Sequence, residues 1–253
     1  MNQYCVSTFS FPKFELKDFL GDLAAIGVST IELGKMHYEA LDPETAARLQ
    51  VENGLRFKSM LTTEDIAAPD GLDVQVGILD IAHQLSIPMV SVSSGGREES
   101  SEAEIEMIID RLKMLTQEAE RRNIVLSFYP HGGWMAYNLE RTERIFDAIQ
   151  SDNFGFYYCS YHFQVAGDDP VVALERLVHR MVNVYFDCGI DPETGETPLW
   201  VPATDYPAVC QAIKRTGYKE EIMIIYLGLD SATPGPIVDG IVRARALIDE
   251  MIA

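Results

Sequence analysis

Short β-branched and aromatic runs alternate with longer amphipathic segments along the whole chain. Eight runs read as strands from their length and their bounding turn residues: QYCVSTF, VSTIEL, RFKSML, PMVSVSS, IVLSFYP, GFYYCS, MVNVYFD and EIMIIYL. Helical periods lie between them. In SEAEIEMIIDRLKMLTQEAERRN, Ile105, Ile108, Ile109, Leu112 and Leu115 recur at helical spacing, and Ser101 with Glu104 makes a capping box at the start. Ile78, Ile81, Ala82 and Leu85 form a similar stripe before the fourth strand, and Asn138 is placed to N-cap the helix NLERTERIFDAIQ. This alternation predicts an α/β fold, a (β/α)8 TIM barrel forming a single domain over residues 1–253. A doubly wound open sheet is the alternative, but no G-x-G-x-x-G follows the first strand to support a dinucleotide site. The longest predicted loop, CGIDPETGETPLWVPATD, follows the seventh strand and is placed to cover the barrel mouth.

Composition narrows the class. With 47% hydrophobic and 23% charged residues, the chain has the profile of a globular protein rather than a disordered one. The N-terminus lacks the basic start and apolar run of a signal peptide, and no stretch is apolar for long enough to cross a bilayer, so a cytoplasmic location and no membrane partner are expected. Cys5, Cys159, Cys188 and Cys210 are scattered, which predicts reduced thiols. The net charge of −19 would repel a phosphate backbone over most of the surface and argues against a nucleic-acid partner.

Side chains on a strand alternate between faces, so each strand can be sorted into helix-facing and axis-facing residues. The sorting sends Asn183, Tyr185 and Asp187 inward on the seventh strand and Ser127, Tyr129 and His131 inward on the fifth. On the sixth it sends Tyr157 and Cys159 inward with His162 just beyond, and on the last Ile222, Ile224 and Tyr226. Barrel enzymes work at the C-terminal ends of their strands. The predicted mouth cluster is therefore Tyr129, His131, Cys159, His162, Tyr185, Asp187 and Tyr226, with Glu32 as a further member. One buried tyrosine only fills core volume; convergence on one rim points to a pocket. Arg97, in SSGGREES, is placed either over a phosphate or carboxylate or in a surface ion pair, and Trp134 and Trp200 are lid contacts or packing residues. Of His37, His83 and His179, only His37 follows a strand closely enough to approach the mouth.

The opening FSFPKFELKDFLGDLAAIGVSTIELG and the order of elements resemble the xylose isomerase-like barrel superfamily, the sugar phosphate isomerases and epimerases that also include endonuclease IV and the tagatose and psicose 3-epimerases. The family's lalEnHgG resembles LSFYPHGG here, its G.cyDpgH resembles GFYYCSYH, its vHlKD falls on VYFDC, and its GYdGyl.iEy on GYKEEIMIIYLG. The resemblance thus places Tyr129, Cys159, Tyr185 and Tyr226 at the family's metal-ligand positions. A phenol titrating near pH 10 is a poor ligand for Mn²⁺ or Mg²⁺ at neutral pH. The family's Mn, Mg or Zn site is accordingly expected to be lost and no cofactor is expected, while the resemblance implies a homo-oligomer and a small carbohydrate-like ligand.

Three functional readings follow from these residues. In the first, a keto-sugar or cyclic polyol is isomerised, epimerised or dehydrated by metal-independent acid/base chemistry: His131 or His162 carries the proton, Asp187 orients or acts as second base, and the Tyr129, Tyr185 and Tyr226 hydroxyls replace the cation. In the second, the barrel binds a sugar-like ligand without catalysis. In the third, Cys159 and His162, spaced C-x-x-H, hold a soft metal, with Cys188 excluded because it faces the helices.

Overall fold

The structure, a computed structural model, describes residues 3–191, 195–197, 199 and 204–253. The eight expected strands all form. They are β1 (Tyr4–Ser7), β2 (Thr30–Gly34), β3 (Arg56–Leu61), β4 (Met89–Val92), β5 (Val125–Phe128), β6 (Phe154–Cys159), β7 (Met181–Asp191) and, after a short extra strand β8 (Gly195–Thr197), β9 (Ile222–Leu227). Neighbours pair in parallel from β1 to β7. β9 then lies between β7 and β1, and so closes the barrel. Parallel pairing needs crossover connections. These carry α1 (Leu20–Ala25), α2 (Lys35–Tyr38), α3 (Pro43–Asn53), α4 (Gly71–Gln84), α5 (Glu102–Arg121), α6 (Leu139–Ala148), α7 (Ser160–Ala166), α8 (Pro170–Leu177) and α9 (Tyr206–Thr216), and α10 (Gly235–Ile252) follows β9.

The long loop expected after the seventh strand is corrected. β7 continues to Asp191 because β9 runs beside it as far as Gly189 opposite Leu227, which keeps its backbone groups paired. Its tip then pairs antiparallel with β8, Gly189 facing Thr197. Trp200 lies outside the described residues.

The helices dock as their periodicity predicts. The α5 stripe of Ile105, Ile108, Ile109, Leu112 and Leu115 is buried against the sheet, each such side chain contributing about 1.5–3 kcal/mol relative to exposure. The α5 capping box forms, the Ser101 N–H donating to Glu104 at 2.7 Å, and the Asn138 side chain accepts from the Arg141 N–H at 3.0 Å at the start of α6. Such caps contribute about 1 kcal/mol each.

Two apolar groups fill the molecule. The larger lies between sheet and helices; the smaller lies inside the barrel and contains Cys5, Leu61, Tyr129, Tyr157, Cys159, Tyr185, Met223 and Ile225. The interior is the surface that leads to the mouth.

Candidate active site

Strand register decides which residues share the interior. Parallel partners point the same way, so Asp187, paired with Ile225, shares its face, while Cys188, paired with Tyr226, shares the other. The expectation for Tyr226 is therefore corrected: it packs in the outer core, against α10, where a Cβ on Gly240 would lie 2.3 Å from its ring. Ile222 and Ile224 also face outward, and the inward residues of β9 are Met223 and Ile225. Cys188 faces the helices as expected.

At the strand ends the interior opens onto an aromatic wall. The Tyr157 ring lies 4.7 Å from that of Tyr185 and 5.1 Å from that of Tyr129. Tyr129 in turn adjoins Trp134 at 6.0 Å, and Trp134 adjoins His131 at 4.9 Å. His131 faces His162, their ring centres 4.3 Å apart. Trp134 and His131 are half-buried at the rim, whereas Tyr129, Tyr157 and Tyr185 are buried.

The phenol hydroxyls are spent within the protein. Tyr129 donates to the Thr62 carbonyl at 3.1 Å, and Tyr185 donates to Glu32 Oε1 at 3.0 Å. A phenol has one proton to give, so neither hydroxyl keeps a donor for a substrate oxygen in this arrangement. Burial pushes both phenols further above their usual range, and the nearby Glu32 carboxyl adds to the effect.

Glu32 is fully buried and lies inside the barrel rather than at its rim. Besides Tyr185 it accepts from the Ser59 and Ser91 hydroxyls at 3.1 and 3.2 Å. Burial raises its carboxyl above the ordinary value, while the hydroxyl donors partly offset that rise. Serines at inward positions of apolar strands, Ser59 and Ser91 here, are the sequence signal for a buried acid of this kind.

The polar groups at the rim form a second set. The Cys159 thiol donates to Asp187 Oδ2 at 2.7 Å. His162 sits in the first turn of α7, immediately after β6, and is buried. Burial depresses its imidazole to about 3, with His131 adding to the depression. His131 is also lowered by burial, with a partial offset from the Gly132 carbonyl, which faces its Nδ1 at 2.6 Å. Asp187 is half-buried, and loss of solvent pushes its carboxyl up to about 6 against the opposing Cys159 hydrogen bond. Burial, then the Asp187 charge, raises the Cys159 thiol.

Other predicted positions lie elsewhere. Arg97 is exposed in a side cleft of about 380 Å³ with Asp65, Ser100 and Glu104, near the start of α5. His37 is a structural residue: Nδ1 lies 2.9 Å from the Thr8 hydroxyl and Nε2 2.9 Å from the Phe14 carbonyl. Tyr161, half-buried beside His162 at 5.0 Å between ring centres, is a mouth residue that strand alternation alone does not reveal, because it lies on a helix.

A closed eight-stranded parallel barrel with its polar side chains gathered at the C-terminal strand ends defines a class of fold. The sequence profile of the xylose isomerase-like TIM barrel family matches residues 20–243, and the chain belongs to that family. No curated protein matches at a significant level. Among solved structures it is similar to a probable 3-DHS dehydratase involved in petrobactin synthesis from Bacillus anthracis, at 16% identity and TM-score 0.79, covering 97% of this chain and 98% of that one. It is similar to an L-ribulose 3-epimerase at 14% identity and TM-score 0.80, covering 100% and 95%. An AP endonuclease of family 2 from Brucella melitensis superposes at 15% identity and TM-score 0.76, covering 97% and 99%. At these identities the likeness establishes the fold alone.

The resemblance places metal ligands at Tyr129, Cys159, Tyr185 and Tyr226; the first three lie inside the barrel, whereas Tyr226 packs in the outer core. Two protonated phenols and a thiol are not the carboxylate and imidazole donors that Mn²⁺ or Mg²⁺ requires. This donor set does not fit the family's hard cation.

Proposed function

We propose that the barrel moves a proton on carbon in a small carbohydrate-like molecule, a keto-sugar or cyclic polyol, leading to isomerisation, epimerisation or elimination of water. The observation that carries this reading is the contiguous group at the mouth, His131 against His162 at 4.3 Å with Cys159 and Asp187 joined beside them at 2.7 Å. Isomerisation of a sugar, epimerisation beside a ketone and loss of water from a hydroxy-ketone all begin with removal of a proton next to a carbonyl. A dehydratase and a 3-epimerase, the activities in the names of two structural neighbours, belong to that class.

His131 is the proton carrier on this reading. With Nδ1–H directed at the Gly132 carbonyl, the neutral ring presents Nε2 as its acceptor, and burial keeps the ring neutral near pH 7. His162 and Asp187 orient the substrate oxygens, with Asp187 as second base. Trp134 at the rim, with Tyr129 behind it, offers an aromatic face for the apolar side of a sugar ring. The family's hard cation takes no part, since its stations lack the donors for it.

The test is carbon-bound hydrogen exchange. The protein is incubated in D2O with ketoses and inositol-derived ketones, with and without chelator, and loss of the C–H signal is followed by NMR. Exchange or turnover with at least one compound is expected. A compound that raises the melting temperature without exchange supports instead a binding barrel, a reading favoured by the spent Tyr129 and Tyr185 hydroxyls.

A further inference from the structure

We infer that Cys159, His162 and Asp187 form a binding site for a thiophilic divalent cation of the zinc type. A thiol sulfur, an imidazole nitrogen and a carboxylate oxygen, one from each residue, all lie within 4.8 Å of one another. Bond lengths of about 2.3 Å to sulfur and about 2.0–2.2 Å to nitrogen and oxygen put neighbouring donors of a tetrahedral ion roughly 3–4 Å apart. Small side-chain rotations therefore suffice to close the three donors around one ion. The inference goes beyond the proton-transfer reading, in which these side chains act unaided.

The backbone holds all three donors without a long loop. Cys159 ends β6 and pairs with Tyr185 of β7, Asp187 follows two residues along the same face, and His162 lies three residues after Cys159 in the first turn of α7. Cys159 and His162 are buried and Asp187 is half-buried, so the set is reachable from the mouth. Three protein donors with one open side is the arrangement of zinc sites that accept an outside ligand.

Donor chemistry separates this site from the family's. Thiolate and imidazole select zinc or cobalt(II) over magnesium and manganese. Of the four stations identified by resemblance only Cys159 takes part; His162 and Asp187 occupy other positions. Cys188, adjacent in sequence to Asp187, is directed under the helices and supplies nothing.

The probe is cobalt(II), added to chelator-treated protein and followed by absorbance, with zinc competition in a calorimeter. We expect one equivalent bound, with a thiolate-to-cobalt charge-transfer band that zinc abolishes. Cys159→Ser should lose the band, Asp187→Asn and His162→Gln should weaken binding at least about tenfold, and Cys188→Ser should leave it intact. A folded wild type without the band at saturating cobalt, or a band that survives Cys159→Ser, overturns the assignment. If Cys159→Ser does not fold, unchanged affinity in folded Asp187→Asn and His162→Gln overturns it. The readout does not involve turnover: cobalt binding without hydrogen exchange removes only the proton-transfer reading, and exchange without cobalt binding removes only the metal site.

Discussion

The Cys159 sulfur and the Asp187 carboxylate meet at 2.7 Å across the seam between β6 and β7. Neither residue would be in reach of the other without the register that sets Cys159 beside Tyr185, two residues before Asp187. The pair places an acid raised to about 6 at the mouth of the barrel. Asp187→Asn removes the ionisable group and keeps its shape. The expected result is a loss of hydrogen exchange of about a hundredfold with a melting temperature within a few degrees of wild type. Unchanged exchange would remove Asp187 from the chemistry.

Inside the barrel, the Tyr185 hydroxyl on β7 donates to Glu32 on β2. Tyr185→Phe keeps the ring and deletes the donor, and is expected to destabilise the fold by about 1–3 kcal/mol because Glu32 loses a partner in a dry environment. Glu32→Gln is expected to cost a similar amount. Urea unfolding of both single variants and the double variant checks the coupling: a double-variant loss smaller than the sum of the singles is predicted, and strict additivity would contradict a direct contact.

The placement of Tyr226 yields a prediction of the opposite kind. Gly240→Ala puts a Cβ 2.3 Å from the Tyr226 ring, so overpacking is expected to cost about 1–3 kcal/mol, and replacing Tyr226 with Leu in the same chain should recover part of it. Tyr226→Phe should leave hydrogen exchange unchanged. A large loss of exchange with unaltered stability would return Tyr226 to the mouth.

The strand count, the helix stripes and the caps were legible in the sequence because each depends on short-range periodicity, as in Ile105 to Leu115 with Ser101 and Glu104. Fifth-, sixth- and seventh-strand residues were also legible, since LSFY and VNVYFD alternate in polarity enough to set a phase. IMIIYL does not. It is apolar at every position except its tyrosine, and only pairing with β7, Ile225 beside Asp187, decides which side faces in. The hydroxyl directions of Tyr129 and Tyr185 were equally hidden, because their acceptors Thr62 and Glu32 come from elements far away in the chain.

Acid stability should fall in two stages. Burial holds His37 below its ordinary value of 6.5, with the Phe14 carbonyl opposing, and it lowers His131 and, to about 3, His162 in the same sense. The unfolded chain therefore binds the proton first, and stability drops as pH falls below about 6.5. At Glu221 burial pushes the carboxyl up, but Lys58, 2.6 Å away, and the other donors outweigh it and leave the group below 4.5. Its contribution is present above that value and is lost on further acidification. Glu32 and Asp187, both raised, act with the opposite sign. Urea unfolding between pH 8 and about pH 2.5 should show the first decline reduced in His37→Gln and the second in Glu221→Gln; profiles identical to wild type would contradict both assignments.

The most direct measurement of the account is the rate at which solvent deuterium enters a carbon position of a ketose or cyclic hydroxy-ketone, for wild type and for His131→Gln under the same conditions. The account predicts measurable incorporation by wild type and a fall of about a hundredfold or more in the variant, with the fold intact by circular dichroism. Incorporation that is absent from wild type for every compound that binds, or equal in the two proteins, would contradict it.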